Sequence, residues 1–249
     1  VIQVDKLVPG EINRTTHEAV YPGGKGNNVS VILSNLGHSS KALGFTAGFT
    51  GEALENMLKE FGCDTAFIRL PEGSTRINVK INAGEETEIN GQGPVITEEA
   101  QQALFEQLDA LKKEDILVLA GSIPNTLPSD IYERILEHLQ GRGIHFVVDA
   151  TKELLLKVLK YHPFLIKPNN HELGEMFGVT LKTRDEIVTY AKKLQEMGAE
   201  NVLVSMAGDG AILLTEDGII YKAKPPKGKV LNSVGAGDSM VAGFLTGYL

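Results

Sequence analysis

The chain of 249 residues carries 24 Lys and Arg against 32 Asp and Glu, for a formal net charge of -8 at pH 7, and 42% of its residues are hydrophobic. That balance excludes a disordered or collagen-like chain and a broad basic surface for nucleic acid or anionic lipid, so an anionic small molecule needs a local basic site. One cysteine, Cys63, makes no intrachain disulfide and no cysteine-based zinc site, which fits a cytoplasmic protein, and no apolar run is long enough for a membrane span.

From Val1 to about Gly93, short alternating segments are mixed with turns. Tyr21-Pro22-Gly23-Gly24-Lys25-Gly26-Asn27-Asn28 leads into a helix with Val29, Ile32, Leu33 and Leu36 on one side. A second helix has Thr50 as its expected N-cap, Ala53, Leu54, Met57, Leu58 and Phe61 on one face, and Gly62 at C′. Thr75 to Ile81 reads as a strand, Gly84-Glu85-Glu86 as a turn and Thr87 to Asn90 as the returning strand.

From Thr97 helices and strands alternate strictly. Thr97 caps a helix, the strand Asp115 to Ala120 follows, and Ser129 opens the next helix. Then come the strand Ile144 to Val148, a helix from Thr151, the strand Phe164 to Lys167 and a short helix from His171 to Phe177. Thr183 and Glu186 make a capping box before a helix ending near Gly198; Asn201 to Met206 is another strand, Asp217-Gly218 a hairpin turn, and Gly237 to Leu249 a last helix. Repeated βα units predict a doubly wound, mostly parallel sheet flanked by helices, with the early strands as a small lid. Ligands in such sheets bind at the carboxyl ends of the strands, where the chain offers Gly121-Ser122, Asp149, Lys167-Pro168-Asn169 and Ser205.

Asn232-Ser233-Val234-Gly235-Ala236-Gly237-Asp238 opens the last helix. Small residues and a helix start make it an anion cradle, and Asp238 there is either a helix cap or a base for the group attacking a bound phosphate. Lys25 either decorates a Gly-rich turn or holds an anion together with backbone amides; the loop is not a Walker A motif. Arg76 is either a solvated strand residue or a bidentate phosphate ligand. Asn169 and Glu172, one helical turn apart, either cap a helix or organise Mg²⁺ through its waters. Ser205-Met206-Ala207-Gly208-Asp209-Gly210 is explained by a tight turn alone. No metal spacing of histidines, no Gly-x-Ser-x-Gly elbow and no Gly-x-Gly-x-x-Gly fingerprint is present.

Taken in order, these strings, with Glu88-Ile89-Asn90-Gly91-Gln92-Gly93-Pro94 and Gly121-Ser122-Ile123-Pro124, resemble the ribokinase-like (PfkB) family of carbohydrate kinases over nearly the whole chain. The resemblance implies one kinase domain over 1–249 with lid strands within about 1–22 and 75–93, and a homodimer through the lid. It implies ATP as donor with Mg²⁺, Asp238 as catalytic base, and the backbone of Gly235, Ala236 and Gly237 as anion hole. Lys167, Asn169, Glu172, Ser205, Ala207, Gly208, Gly210 and Gly237 would serve ATP, with Asn169 and Glu172 at the metal, and Gly24, Lys25, Asn28 and Arg76 would hold a sugar phosphate. Within the family the Lys25 and Arg76 pair implies an acceptor that already carries phosphate. The Glu86 to Pro94 segment resembles members that convert fructose 1-phosphate to fructose 1,6-bisphosphate, with tagatose 6-phosphate or fructose 6-phosphate as alternative acceptors. The pair opposes a nucleoside or vitamin kinase, and the intact Asp238 loop opposes a non-catalytic sugar-phosphate sensor. Against the family pattern, the first-strand aspartate and the residues beyond the last helix are not in this chain, so a protein truncated at both ends is expected, and Asn27 stands where an aliphatic residue is common.

Overall fold

The computed structural model describes residues 1–228 and 235–249, which fall into two compact units: Val1–Leu104 with Pro124–Leu127, and Phe105–Ile123 with Pro128–Leu249. In the first unit β1 (Ile2–Gln3) pairs antiparallel with β2 (His17–Glu18). The Gly-rich segment leads into α1 (Lys25–Asn35), followed by β3 (Lys41–Ala42), β4 (Phe45–Ala47), α2 (Gly48–Glu60), β5 (Asp64–Thr65) and β6 (Ile68–Leu70). Strands before and after α2 pair in parallel, β3 with β5 and β4 with β6, as a crossover helix demands. β7 (Asn78–Asn82) and β8 (Glu86–Asn90) form the hairpin expected around Gly84 and join the first two strands in a separate sheet, ordered β2-β1-β7-β8. Ala47, Leu70, Ile96 and Ala100 form a small core, with Phe45, Ile68 and Leu127 packed on it.

Two local expectations fail here for one reason. The β7 ladder begins at Asn78 rather than Thr75, because Thr75 is tied to the start of α2. Its hydroxyl accepts the Ala47 N–H at 2.9 Å, and its carbonyl accepts the Thr50 hydroxyl at 2.9 Å. Thr50 is therefore not an N-cap, and α2 starts earlier, at Gly48. Gly48 has a φ of +57°, and a Cβ there would lie 2.7 Å from the Gly73 carbonyl oxygen, so this turn requires glycine.

The boundary between the units falls within α3 (Glu98–Leu108), which Thr97 caps through its hydroxyl and the Ala100 N–H at 3.2 Å. The expected alternation follows: β9 (Ile116–Ala120), α4 (Ile131–Leu139), β10 (His145–Asp149), α5 (Lys152–Val158), β11 (Leu165–Ile166), α6 (Asn170–Met176), α7 (Arg184–Glu196) and β12 (Asn201–Ser205). Thr183 and Glu186 complete the predicted capping box at the start of α7. Strands β9 to β12 are parallel and lie in chain order. The hairpin of β13 (Ala211–Leu214) and β14 (Ile220–Ala223) adds two antiparallel strands beside β12, and α8 (Ala236–Tyr248) comes last. Val147, Val148, Leu165, Ile166, Val202 and Val204 are fully buried, as the apolar runs of a covered parallel sheet require. Among the described residues no helix is long and apolar enough to cross a membrane.

One buried polar cluster of the first unit is well paired. Glu55 on α2 accepts from Arg69 at 3.1 Å and from the buried Thr46 hydroxyl at 3.1 Å. The Arg69 guanidinium holds the Glu55 carboxyl below its ordinary value of 4.5, against the opposing effect of burial. A lowered carboxylate contributes stability above its unfolded pKa and loses it as pH falls through the folded value. Glu55→Gln should therefore melt below wild type at pH 7, with the gap closing as the pH drops below 4.5; a gap constant down to acid pH would contradict this.

Candidate functional site

Strand ends in the second unit meet along one edge. The Asp149 carbonyl, at the end of β10, accepts the Gly121 N–H at 2.9 Å just beyond β9, and the Pro168 carbonyl accepts the Ser205 N–H at 3.1 Å. Asn169 and Ser205 form a parallel bridge. In the β10–β11 register Val148 stands opposite Ile166, so Asp149 and Lys167 are the next pair outward. Lys167 Nζ lies 3.4 Å from Asp149 Oδ1, with the two side chains 6% and 3% exposed. Tyr132 on α4 donates to the Gly121 carbonyl at 3.3 Å. Burial, reinforced by the negative charge of Asp149, pushes its hydroxyl up to about 12.

The start of α8 belongs to the same cluster. Gly235, with a φ of +79°, turns the chain into the helix, and Ala236, Gly237 and the buried Asp238 form its first turn. A Cβ on Gly237 would lie 3.0 Å from Lys167 Nζ and 3.3 Å from its Cε, so the lysine rests against bare backbone. A helix N-terminus exposes unpaired N–H groups and positive partial charge, and a buried ammonium beside it concentrates that potential. An anion fits such a place, and the buried Asp238 carboxylate lies in the same turn. Asn232, Ser233 and Val234, the earlier part of this loop, lie outside the described residues.

Asn169 and Glu172 do cap α6. The Asn169 side-chain oxygen accepts the Glu172 N–H at 2.8 Å, and Glu172 Oε2 accepts the Asn169 N–H at 2.8 Å, a complete capping box. Among the described residues no group of three His, Cys, Asp or Glu side chains gathers as a metal cluster. After Ser205, Ala207 adopts a φ of +46° and opens a 3₁₀ turn over Ala207–Asp209 containing Gly208; Gly210 follows with a φ of +91°. A Cβ at Gly210 would fall 2.1 Å from the Ala223 carbonyl oxygen, so only glycine passes there. Arg184, at the start of α7, donates to the Asp209 carbonyl at 2.5 Å and ties the turn down.

In the first unit, Gly24 has a φ of +107° and precedes α1; Lys25, exposed, is its first residue, and the Asn28 N–H bonds to the Gly24 carbonyl at 2.9 Å. Asn27 donates its amide to the Gly23 carbonyl at 2.8 Å, which closes the Gly-rich turn and explains an asparagine at this position. Arg76 is exposed and precedes β7 instead of lying within it, and it makes no ion pair among the described residues. Cβ atoms on Gly91 and Gly93 would lie 3.4 and 3.5 Å from the Arg76 Cβ, so the chain returning from β8 runs close over its root. Asp149 enters the sequence reading only as a polar strand end, and Tyr132 and Arg184 not at all. Their signals exist only in register and turn geometry.

The family model for pfkB family carbohydrate kinases matches residues 1–249. The chain belongs to this family. It is 53% identical over 247 residues to the 1-phosphofructokinase of Bacillus subtilis, covering 99% of this chain and 81% of that protein. It is 39% identical over 245 residues to the D-tagatose-1-phosphate kinase of Bacillus licheniformis, covering 98% of this chain and 80% of the other. The crystal structure of Escherichia coli phosphofructokinase-2 in complex with substrates and products superposes with a TM-score of 0.89 at 28% identity, over 97% of this chain and 80% of that one. This pfkB kinase thus has the family's α/β fold, with mixed, mostly parallel sheets and the small separate sheet expected from sequence. Since the Asn169 side chain accepts the Glu172 N–H at the start of α6, Asn169→Ala should lower unfolding free energy by about 1 kcal/mol in urea denaturation; unchanged stability would contradict that role.

Proposed function

We propose that this kinase transfers the γ-phosphoryl group of ATP to the 6-hydroxyl of fructose 1-phosphate, giving fructose 1,6-bisphosphate and ADP. The observation that carries the reading is the first turn of α8, where a buried carboxylate, Asp238, shares the turn with Gly237 and the buried Lys167 ammonium lies against it. Asp238 takes the proton of the 6-hydroxyl as that oxygen bonds to the γ-phosphorus and the bond to the β-phosphate oxygen breaks. The amides of Gly235, Ala236 and Gly237 and the Lys167 ammonium stabilise the charge on the transferring group, so positioning and electrostatics carry the catalysis.

ATP phosphates are assigned to this turn and to Lys167, with Ser205, Ala207, Gly208 and Gly210 along the nucleotide. Mg²⁺, when bound, neutralises phosphate charge. The capping box leaves one Glu172 carboxylate oxygen outside it and occupies the Asn169 oxygen, a donor set that suits an ion held through its waters. Gly24, Lys25 and Asn28 at the start of α1, together with Arg76, are assigned to the acceptor and its 1-phosphate. The first unit's separate sheet, with Ile77 just before β7 and Ile89 on β8 both exposed, is the surface proposed to pair two copies.

The tagatose-1-phosphate relative favours one second reading, because that sugar carries its phosphate at the same carbon and differs from fructose 1-phosphate at a single hydroxyl. Coupled ADP-release kinetics with fructose 1-phosphate, tagatose 1-phosphate, fructose 6-phosphate, tagatose 6-phosphate and free fructose separate these. Fructose 1-phosphate should give a kcat/KM about tenfold or more above the rest, a difference of about 1.4 kcal/mol in transition-state binding. A higher value for any other sugar overturns the acceptor assignment. Arg76→Ala should raise the sugar-phosphate KM far more than the ATP KM; equal effects on both would remove Arg76 from the acceptor site.

A further inference from the structure

We propose that Asp149 is a positioning residue of this kinase: its carboxylate holds the Lys167 ammonium against Gly237 at the first turn of α8. The inference deepens the phosphoryl-transfer reading above and rests on it for its kinetic consequence. Its structural premise stands on the pairing itself.

A lysine at this place is under three pressures to leave. The positive end of α8 repels it, burial removes its water, and its four-carbon stem is flexible enough to swing elsewhere. Lys167 nevertheless lies with its Nζ 3.0 Å from the position of a Cβ on Gly237, and is only 5% exposed. What opposes those pressures is Asp149, 2% exposed, with Oδ1 3.4 Å from the ammonium. Asp149 is itself fixed as the last residue of β10, paired in register with Ala120 of β9, and its carbonyl accepts the Gly121 N–H at 2.9 Å. The carboxylate therefore sits on a rigid strand end, and the lysine borrows that rigidity.

Stability does not account for the pair. Two buried charges of opposite sign are often no more stabilising than two apolar side chains of the same volume. Their value lies in where they hold the ammonium. Gly237 fits the same account, since any side chain there would push the lysine off the turn.

A double-mutant cycle tests the proposal with whichever sugar phosphate the wild-type enzyme uses best. Asp149→Asn should lower kcat about tenfold or more, because a displacement of about 1 Å at the reacting group can cost that much, while the sugar-phosphate KM changes little. In a Lys167→Met background the same substitution should add almost nothing. An unchanged kcat for Asp149→Asn, or an equal loss in both backgrounds, overturns the proposal, because Asp149 would then be structural only or would act on its own. A crystal structure of Asp149→Asn gives a readout independent of substrate choice: the ammonium should have left Gly237, and finding it in place is equally fatal. If Asp149→Asn does not fold, the Asp149→Asn/Lys167→Met double variant must, since the defect would be an ammonium buried without its carboxylate. A double variant as unstable as the single contradicts the account. Failure of the acceptor assignment appears separately, in the wild-type substrate panel.

Discussion

An ammonium buried beside the N-terminus of a helix is tolerated only where a carboxylate is buried with it, and the second unit is arranged around that constraint. The parallel register that sets Val148 opposite Ile166 makes Asp149, the last residue of β10, and Lys167, just past the end of β11, neighbours. The lack of a side chain at Gly237 then lets the lysine lie on the first turn of α8. Desolvating two ions costs several kcal/mol each by order of magnitude, only partly offset by their attraction, so the pair is a poor investment in stability. Its product is a buried ammonium held at the first turn of α8, where low solvent exposure strengthens its electrostatic interactions.

The chain as a whole is acidic, with a net charge of -8, so it draws anions only through such local features. The same device occurs twice. In each unit a glycine of positive φ turns the chain into a helix, Gly24 at +107° before α1 and Gly235 at +79° before α8, and a lysine stands at the helix start. The lysine belongs to the helix itself in α1, as Lys25, and reaches α8 from a neighbouring strand end, as Lys167. A phosphoryl transfer to a sugar phosphate involves two anionic partners. Assigning ATP to one device and the acceptor phosphate to the other uses each once.

Sequence periodicity located most of the second unit because its central strands, β10 to β12, are buried along most of their length. Val147, Val148, Val202 and Val204 form apolar runs that read as strands without any knowledge of their neighbours. The Thr183–Glu186 capping box was legible for the same reason, being local. Around Thr75 the alternating pattern was misleading, because the hydroxyl and carbonyl of that residue bond across 28 and 25 positions of sequence to Ala47 and Thr50. That moved Arg76 out of the strand. The Gly-rich strings, Asp238 and Lys167 were visible as motifs, but the role of Asp149 was not, since it depends on a register between strands that no spacing encodes. Asn169 had two open readings, and the structure establishes that its side chain caps α6.

The central claim is that phosphoryl transfer takes place at the first turn of α8, with Asp238 as base. Steady-state turnover of Asp238→Asn, measured beside calorimetric ATP binding, tests it most directly. The account predicts a kcat lower by about two orders of magnitude or more with ATP affinity retained. A variant that turns over at the wild-type rate would contradict it.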